Sequence, residues 1–227
     1  MPKERLKFTG PKELTFEEAD ILYDIVIDKK PIKVVEFPTF GGLSTLYIAE
    51  ALKDLQGGTI YSFDYYDRGI EPPAIEVLND NQISEYTGLI KVDDLKDLIG
   101  QLKSTVGNAD IVFFDSLHSD LDKVFKGIWD NLQEGSTIIL HDVECEVTDE
   151  MKTPSVFKNI VSKLEHNEFK ILTTFDSSNN KNSFGIFTVS KNKDLKIKKT
   201  KAIKTTNTAS KRLKKAAKKV QKEQGTE

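Results

Sequence analysis

Apolar positions along this chain fall into short runs separated by segments with a longer period. Residues 33–37, 59–63, 88–92, 109–114 and 137–140 are runs of four to six residues, mostly apolar or β-branched. That is the pattern of strands buried on both faces of a parallel sheet. Between the runs, apolar residues recur three and four positions apart. Residues 44–55 and 74–83, the set Leu95, Leu98, Ile99 and Leu102, and the set Leu121, Val124, Phe125, Ile128, Trp129 and Leu132 therefore predict helices. Gly57-Gly58 and Gly135 stand where two of these should stop, and Asp93 is placed to cap the helix after the third strand.

Ahead of the first strand, Thr15-Phe16-Glu17-Glu18 is a capping box opening a helix. Its apolar face holds Phe16, Ala19, Ile21, Leu22, Ile25 and Val26, and it ends at Asp28-Lys29-Lys30 before Pro31. Beyond the fifth strand, residues 154–166 predict a helix. Residues 169–175 and 184–189 predict two strands joined by a polar loop at 177–182, which suits an antiparallel pair. The expected fold class is α/β: a doubly wound, mostly parallel sheet with an antiparallel C-terminal hairpin.

Charge divides the chain further. The net charge is −3, but residues 191–227 hold 14 of the 33 basic and only 3 of the 36 acidic residues, a local net of +11 that leaves −14 for the rest. The expected organisation is an N-terminal extension (1–14), an α/β domain (15–190) and a basic tail (191–227). The tail has almost no aromatic residues; its start reads as disordered, and Leu213, Ala216, Ala217 and Val220 make one helical stripe. A solvated tail is the plain reading; an anionic surface, nucleic acid or a partner helix are its functional readings. Cys145 is alone, so there is no disulfide framework, and a reducing cytoplasm is expected. No run reaches the ~18 apolar residues of a membrane span, and Met1 to Arg5 lead into no apolar signal region.

In an open parallel sheet, ligands bind beyond the carboxyl ends of the strands. The predicted ends carry Glu36, Asp64, Asp93 with Asp94, Asp115, and His141 with Asp142. Any one of these acids can be an ordinary turn residue or cap; all five strand ends together are harder to assign to capping. After Glu36, a loop with Gly41 and Gly42 leads to Ser44 and Thr45 at the start of a helix, a junction that offers backbone N–H groups to a ligand. Asp64 closes the second strand, where a carboxylate can accept two ribose hydroxyls; the plain alternative is a solvated turn in Asp64-Tyr65-Tyr66-Asp67. A Gly-x-Gly-x-x-Gly fingerprint is absent, which disfavours a nicotinamide site. Asp115-Ser116-Leu117-His118 places a histidine just past the fourth strand end, where the plain alternative is a helix cap beside Ser119.

The stretch from Val34 to Ala49 resembles motif I of class I S-adenosylmethionine-dependent methyltransferases. It is most similar to the branch that includes macrolide-sugar O-methyltransferases and cephalosporin-hydroxylase-like proteins. Glu36, Thr39, Gly42, Ser44 and Thr45 match that motif, and Pro38 stands where the family has glycine. The resemblance implies S-adenosylmethionine as cofactor, contacted by Glu36, Pro38, Thr39, Phe40, Gly42, Ser44 and Thr45, by Asp64 and Tyr65 at the ribose, by Asp93 near the adenine and by Asp115. It further implies a divalent metal, Mg²⁺ or Mn²⁺, on Asp115, His141 and Asp142, with His118 as the general base; for His141 the plain alternative is a wall residue that binds no metal. The implied reaction is O-methylation of a sugar or small molecule. Two alternatives stay open: a methyltransferase-like binding or scaffold protein that works through its basic tail, and different chemistry at the same metal site. A homo-oligomer is compatible with all three.

Overall fold

The structure is a computed structural model that describes residues 6–10, 14–64, 73–115, 118–141, 169–175 and 181–189. Its helices are α1 (Phe16–Lys29), α2 (Leu43–Asp54), α3 (Pro73–Asp80), α4 (Leu95–Thr105) and α5 (His118–Ile128). Its strands are β1 (Lys33–Phe37), β2 (Thr59–Asp64), β3 (Thr87–Lys91), β4 (Ile111–Phe114), β5 (Thr137–Leu140), β6 (Phe169–Phe175) and β7 (Lys181–Thr188). The strands form one sheet in the order β3-β2-β1-β4-β5-β7-β6. Pairing is parallel from β3 through β5, and β7 runs antiparallel to both β5 and β6. The mostly parallel sheet with an antiparallel terminal pair is as the sequence pattern predicts. The chain leaves β1 in one direction along the sheet and returns on its other side at β4, so the switch point lies between β1 and β4.

Both faces of the sheet are covered. Val35, Phe37, Phe63, Val112, Phe114, Ile138 and Leu140 pack with Leu98 and Leu102 of α4 and with Leu121, Val124, Phe125 and Ile128 of α5. Val34, Ile60, Ile111, Phe113 and Ile139 pack on the other face with α1, α2 and α3. Side chains alternate across a strand, and this alternation decides where the polar strand-end residues go. Glu36, Ser62, Asp64, Asp115 and His141 each lie two or four residues beyond an apolar member of the second set, so all five fall on the α1/α2 face. The core there closes with polar groups at its carboxyl end.

The capping box of α1 forms as expected: Glu18 N–H donates to Thr15 Oγ1 at 3.2 Å, and Thr15 N–H donates to Glu18 Oε2 at 2.8 Å. Several boundaries differ from the sequence reading for local reasons. The cap of α4 is Asp94, not Asp93: the Asp94 carboxylate accepts from the Lys96 and Asp97 amides, both at 2.8 Å. Helix α2 starts one residue early, with Gly42 as its cap at φ 83°. At its other end the left-handed position falls to Gln56 (φ 57°), and the Gly57 amide closes back on Leu52 O at 3.1 Å in a Schellman arrangement. Gly58 is demanded by space, because a Cβ there would lie 2.6 Å from Pro31 O. Helix α3 stops at Asp80 rather than Ile83, and Gln82 turns left-handed after it. Asp110 precedes β4 because its carboxylate is bound to the Ile32 and Lys33 amides at 2.8 and 3.0 Å, tying the starts of β4 and β1 together. Strand β7 begins at Lys181 because it pairs with β6 as far as Phe175.

Residues 6–10 pack against the domain. The Lys7 backbone exchanges two hydrogen bonds with the Asn81 side chain, and Phe8 meets Phe16 edge-on at 6.5 Å. The predicted helix at 154–166, Cys145, His166 and the basic tail lie outside the described residues. No helix among the described residues is long and apolar enough to cross a membrane.

Candidate active site

The loop from Pro38 to Gly42 sits over the carboxyl ends of β1 and β2 and leads into the N-terminus of α2. The Phe37–Pro38 peptide bond is cis. Internal hydrogen bonds set the loop's course: Thr39 N–H donates to Phe63 O at 3.1 Å, and Gly42 N–H to Thr39 O at 2.9 Å. Phe40 (φ 45°) and Gly42 (φ 83°) both adopt the left-handed region, which glycine tolerates and phenylalanine rarely does. The Phe40 amide is held by Asp64, donating to its Oδ2 at 2.8 Å. The acid that ends β2 thus clamps the loop that ends β1. A Cβ at Gly42 would come 3.2 Å from Ala74 Cβ, so the start of α3 closes the loop from outside. No side chain caps α2 here.

Beneath the loop lies a sealed polar cluster. The Glu36 carboxylate is fully buried, and its Oε2 accepts from Thr45 Oγ1 at 2.5 Å and from Ser62 Oγ at 2.6 Å. Thr39 Oγ1 and Ser62 Oγ share a further bond at 2.7 Å. The pairing of β1 with β2 sets Glu36 opposite Ser62, which is why they meet. Glu36 Oε1 has no hydrogen-bond partner. Burial pushes the Glu36 carboxyl up from 4.5 to about 7, with a smaller push from Asp115, while the hydroxyls of Ser44, Ser62 and Thr45 oppose the rise.

A second constellation stands at the ends of β4 and β5. The Asp115 amide donates to Phe37 O and the His141 amide to Phe114 O, extending the sheet by one residue on each strand. That register brings His141 Nδ1 within 2.9 Å of Asp115 Oδ1. The other ring nitrogen, Nε2, lies 3.2 Å from Glu18 Oε1 on α1. The ring packs on Phe184 of β7 with centroids 4.9 Å apart. The Glu18 and His141 side chains are buried, whereas Asp115 keeps 15% of its side chain exposed.

The structure therefore gathers Glu36, Pro38, Thr39, Phe40, Gly42, Ser44, Thr45 and Asp64 around one loop, and Asp115 and His141 beside it. Asp93 is exposed at the end of β3, and its amide bonds to Asp97 Oδ2 at 3.3 Å. His118 opens α5, but its side chain lies outside what the structure describes, as do Tyr65 and Asp142 entirely. Among the described residues, no group of three or more His, Cys, Asp or Glu side chains is placed to hold a metal ion.

Two members of the site escape a reading of the sequence. Ser62 had a signal: a hydroxyl on the same face as Ile60 in an apolar strand. Glu18 had a weaker one, because it shares the helical stripe of Leu22 and Val26 and so points inward. Its role in the capping box accounts for the acid without any reference to a site.

Residues 35–143 match the family model described as a methyltransferase domain. Solved structures agree in fold. The O-methyltransferase TomG of Streptomyces achromogenes, determined with S-adenosylmethionine, superposes with a TM-score of 0.64 at 16% identity, covering 78% of this chain and 81% of that one. The O-methyltransferase of Bacillus cereus, determined with S-adenosylhomocysteine, gives 0.67 at 15% identity over 78% and 83%. The S-adenosylhomocysteine-bound methyltransferase of Podospora anserina gives 0.63 at 17% over 78% and 80%. No curated protein matches the sequence. Residues 35–143 thus match a methyltransferase domain, and the fold is shared with O-methyltransferases solved with S-adenosylmethionine or S-adenosylhomocysteine.

Proposed function

We propose that this protein transfers a methyl group from S-adenosylmethionine to a hydroxyl of a sugar or another small molecule. The observation that carries the reading is the Asp64 clamp on the Phe40 amide, which braces the loop between β1 and α2 inside the stretch that matches a methyltransferase domain.

The residues present fit the cofactor. A carboxylate at the end of β2 suits ribose hydroxyls. The uncapped N-terminus of α2 suits a carboxylate, and the orphaned Glu36 Oε1 is an acceptor in search of a donor. Tyr65 and Asp93 complete the nucleoside side of this reading. When bound, S-adenosylmethionine supplies the methyl group from its sulfonium; the oxygen–carbon bond forms as the sulfur–carbon bond breaks. The chain's own part is to position the acceptor and to take its hydroxyl proton. His118, three residues past Asp115 at the start of α5, is the proposed base, and the Asp115 carboxylate is partly exposed.

The metal implied by the family resemblance does not fit the described residues as a set. Each His141 ring nitrogen already has a carboxylate as hydrogen-bond partner, Asp115 at Nδ1 and Glu18 at Nε2, so ligation would require one of these contacts to give way. No step is assigned to a metal here.

The test is calorimetric titration of the purified protein with S-adenosylmethionine and S-adenosylhomocysteine, with and without Mg²⁺ or Mn²⁺. Micromolar binding is expected, followed by formation of S-adenosylhomocysteine against a panel of sugars and small alcohols. No binding under any condition would overturn the proposal and favour the reading in which residues 191–227 carry the function.

A further inference from the structure

Glu18 lies on α1, ahead of the stretch that matches a methyltransferase domain. Its two oxygens do different things. Oε2 completes the helix cap by accepting from the Thr15 amide and hydroxyl at 2.8 and 3.1 Å. Oε1 reaches 123 residues along the chain to His141 Nε2. The same ring presents Nδ1 to Asp115 Oδ1 at 2.9 Å. The result is a chain of three side chains running outward from buried α1, with exposure rising from 0% at Glu18 to 1% at His141 and 15% at Asp115.

Counting protons constrains what this chain can be. A neutral imidazole has one N–H and one lone pair, and an ionised carboxylate only accepts. A carboxylate on each nitrogen therefore requires either a ring with both nitrogens protonated or one protonated carboxyl. Three groups share one proton more than a neutral ring between two carboxylates would hold. A buried carboxylate left without such a partner would be costly, so Glu18 and His141 hold each other in place. Phe184 fixes the plane of the ring from the side of β7.

We propose that Glu18 is a positioning residue of this site: through His141 it fixes the partly exposed carboxylate of Asp115, and His141 serves as that bridge rather than as a metal ligand. The bridge follows from geometry alone; its bearing on methyl transfer rests on the function proposed above. The logic is that of a histidine oriented by a buried acid, with a second carboxylate at the working end.

The experiment is nuclear magnetic resonance of the labelled full-length protein at pH 7, observing the histidine ring nitrogens and the Asp115 carboxyl carbon. A hydrogen bond at each His141 ring nitrogen is expected in the wild type. In Glu18→Gln the partner of Nε2 changes, so both ring-nitrogen signals and the Asp115 carboxyl should shift. A purely structural Glu18 would lower stability and leave the ring and Asp115 signals where they were, which would overturn the proposal. So would a His141 ring nitrogen free of any hydrogen bond in the wild type, or movement of the His141 nitrogens on titration with Zn²⁺. Should Glu18→Gln fail to fold, the wild-type spectrum and the Zn²⁺ titration decide by themselves. Failure of the wild type to bind S-adenosylhomocysteine would refute the methyltransferase reading and leave the bridge standing on its spectra.

Discussion

Glu36 is the residue whose replacement tests the physics of the cofactor loop most directly. Its carboxyl is fully buried and raised from 4.5 to about 7. At about 1.4 kcal/mol per pH unit, that displacement corresponds to about 3 kcal/mol of folding free energy. Below pH 4.5 the carboxyl is protonated in both the folded and the unfolded chain, and stability is at its fullest. Between 4.5 and about 7 the unfolded chain releases the proton while the folded one keeps it, so stability falls as pH rises. Above about 7 both forms are ionised and the loss is complete. Glu36→Gln keeps the shape and an acceptor for Thr45 and Ser62 but cannot ionise, so it escapes this loss. Urea unfolding followed by circular dichroism at pH values from 4.5 to 8 should show the variant gaining about 3 kcal/mol on the wild type across that range. Groups that do not interact with Glu36 titrate equally in both proteins and cancel in the difference. Parallel curves, with a difference constant to about 1 kcal/mol, would refute the claim that Glu36 is buried without sufficient compensation.

Three further outcomes are expected. Ser62→Ala removes one of the two hydroxyls bonded to Glu36 Oε2; it should cost about 1–2 kcal/mol in urea unfolding and drive the Glu36 carboxyl higher still, as read by carboxyl-carbon resonance against pH. Gly42→Ala places a Cβ at φ 83° and 3.2 Å from Ala74; a destabilisation of about 1–3 kcal/mol, with weaker S-adenosylhomocysteine binding, is the expected result, and an unchanged loop would contradict it. Asp64→Asn retains an acceptor for the Phe40 amide but loses the charge; calorimetry should show the fold intact and affinity for S-adenosylmethionine lowered about tenfold, or ~1.4 kcal/mol.

The strand ends were legible because burial on both faces leaves a parallel strand almost wholly apolar, so a polar residue closing it stands out. Glu36, Asp64, Asp115 and His141 were all visible in this way, and so was the helix start at Ser44 and Thr45. Exact boundaries were less legible. Asp93 and Asp94 are equally good caps by residue type, and only the backbone turn shows that Asp94 accepts the amides of α4. Gly57 looked like the left-handed stop of α2, but the chain turns left-handed one residue earlier, at Gln56. Asp110 reads as part of a strand until its carboxylate is seen holding the Ile32 and Lys33 amides.

The sequence by itself determined the order of elements, the doubly wound sheet with its antiparallel end, and the row of ionisable groups at the carboxyl edge. Periods of two and of three to four are local properties, written in neighbouring residues. Only the tertiary structure decided which of those groups touch. The register of β1 against β2 sets Glu36 opposite Ser62, and the loop's left-handed turn at Phe40 brings its amide to Asp64. The packing of α1 carries Glu18 to His141. These contacts join residues 24 to 123 positions apart, and no local pattern specifies a partner at that distance. They are set by the sheet order and by helix packing, which bury the apolar surface of the whole chain at once.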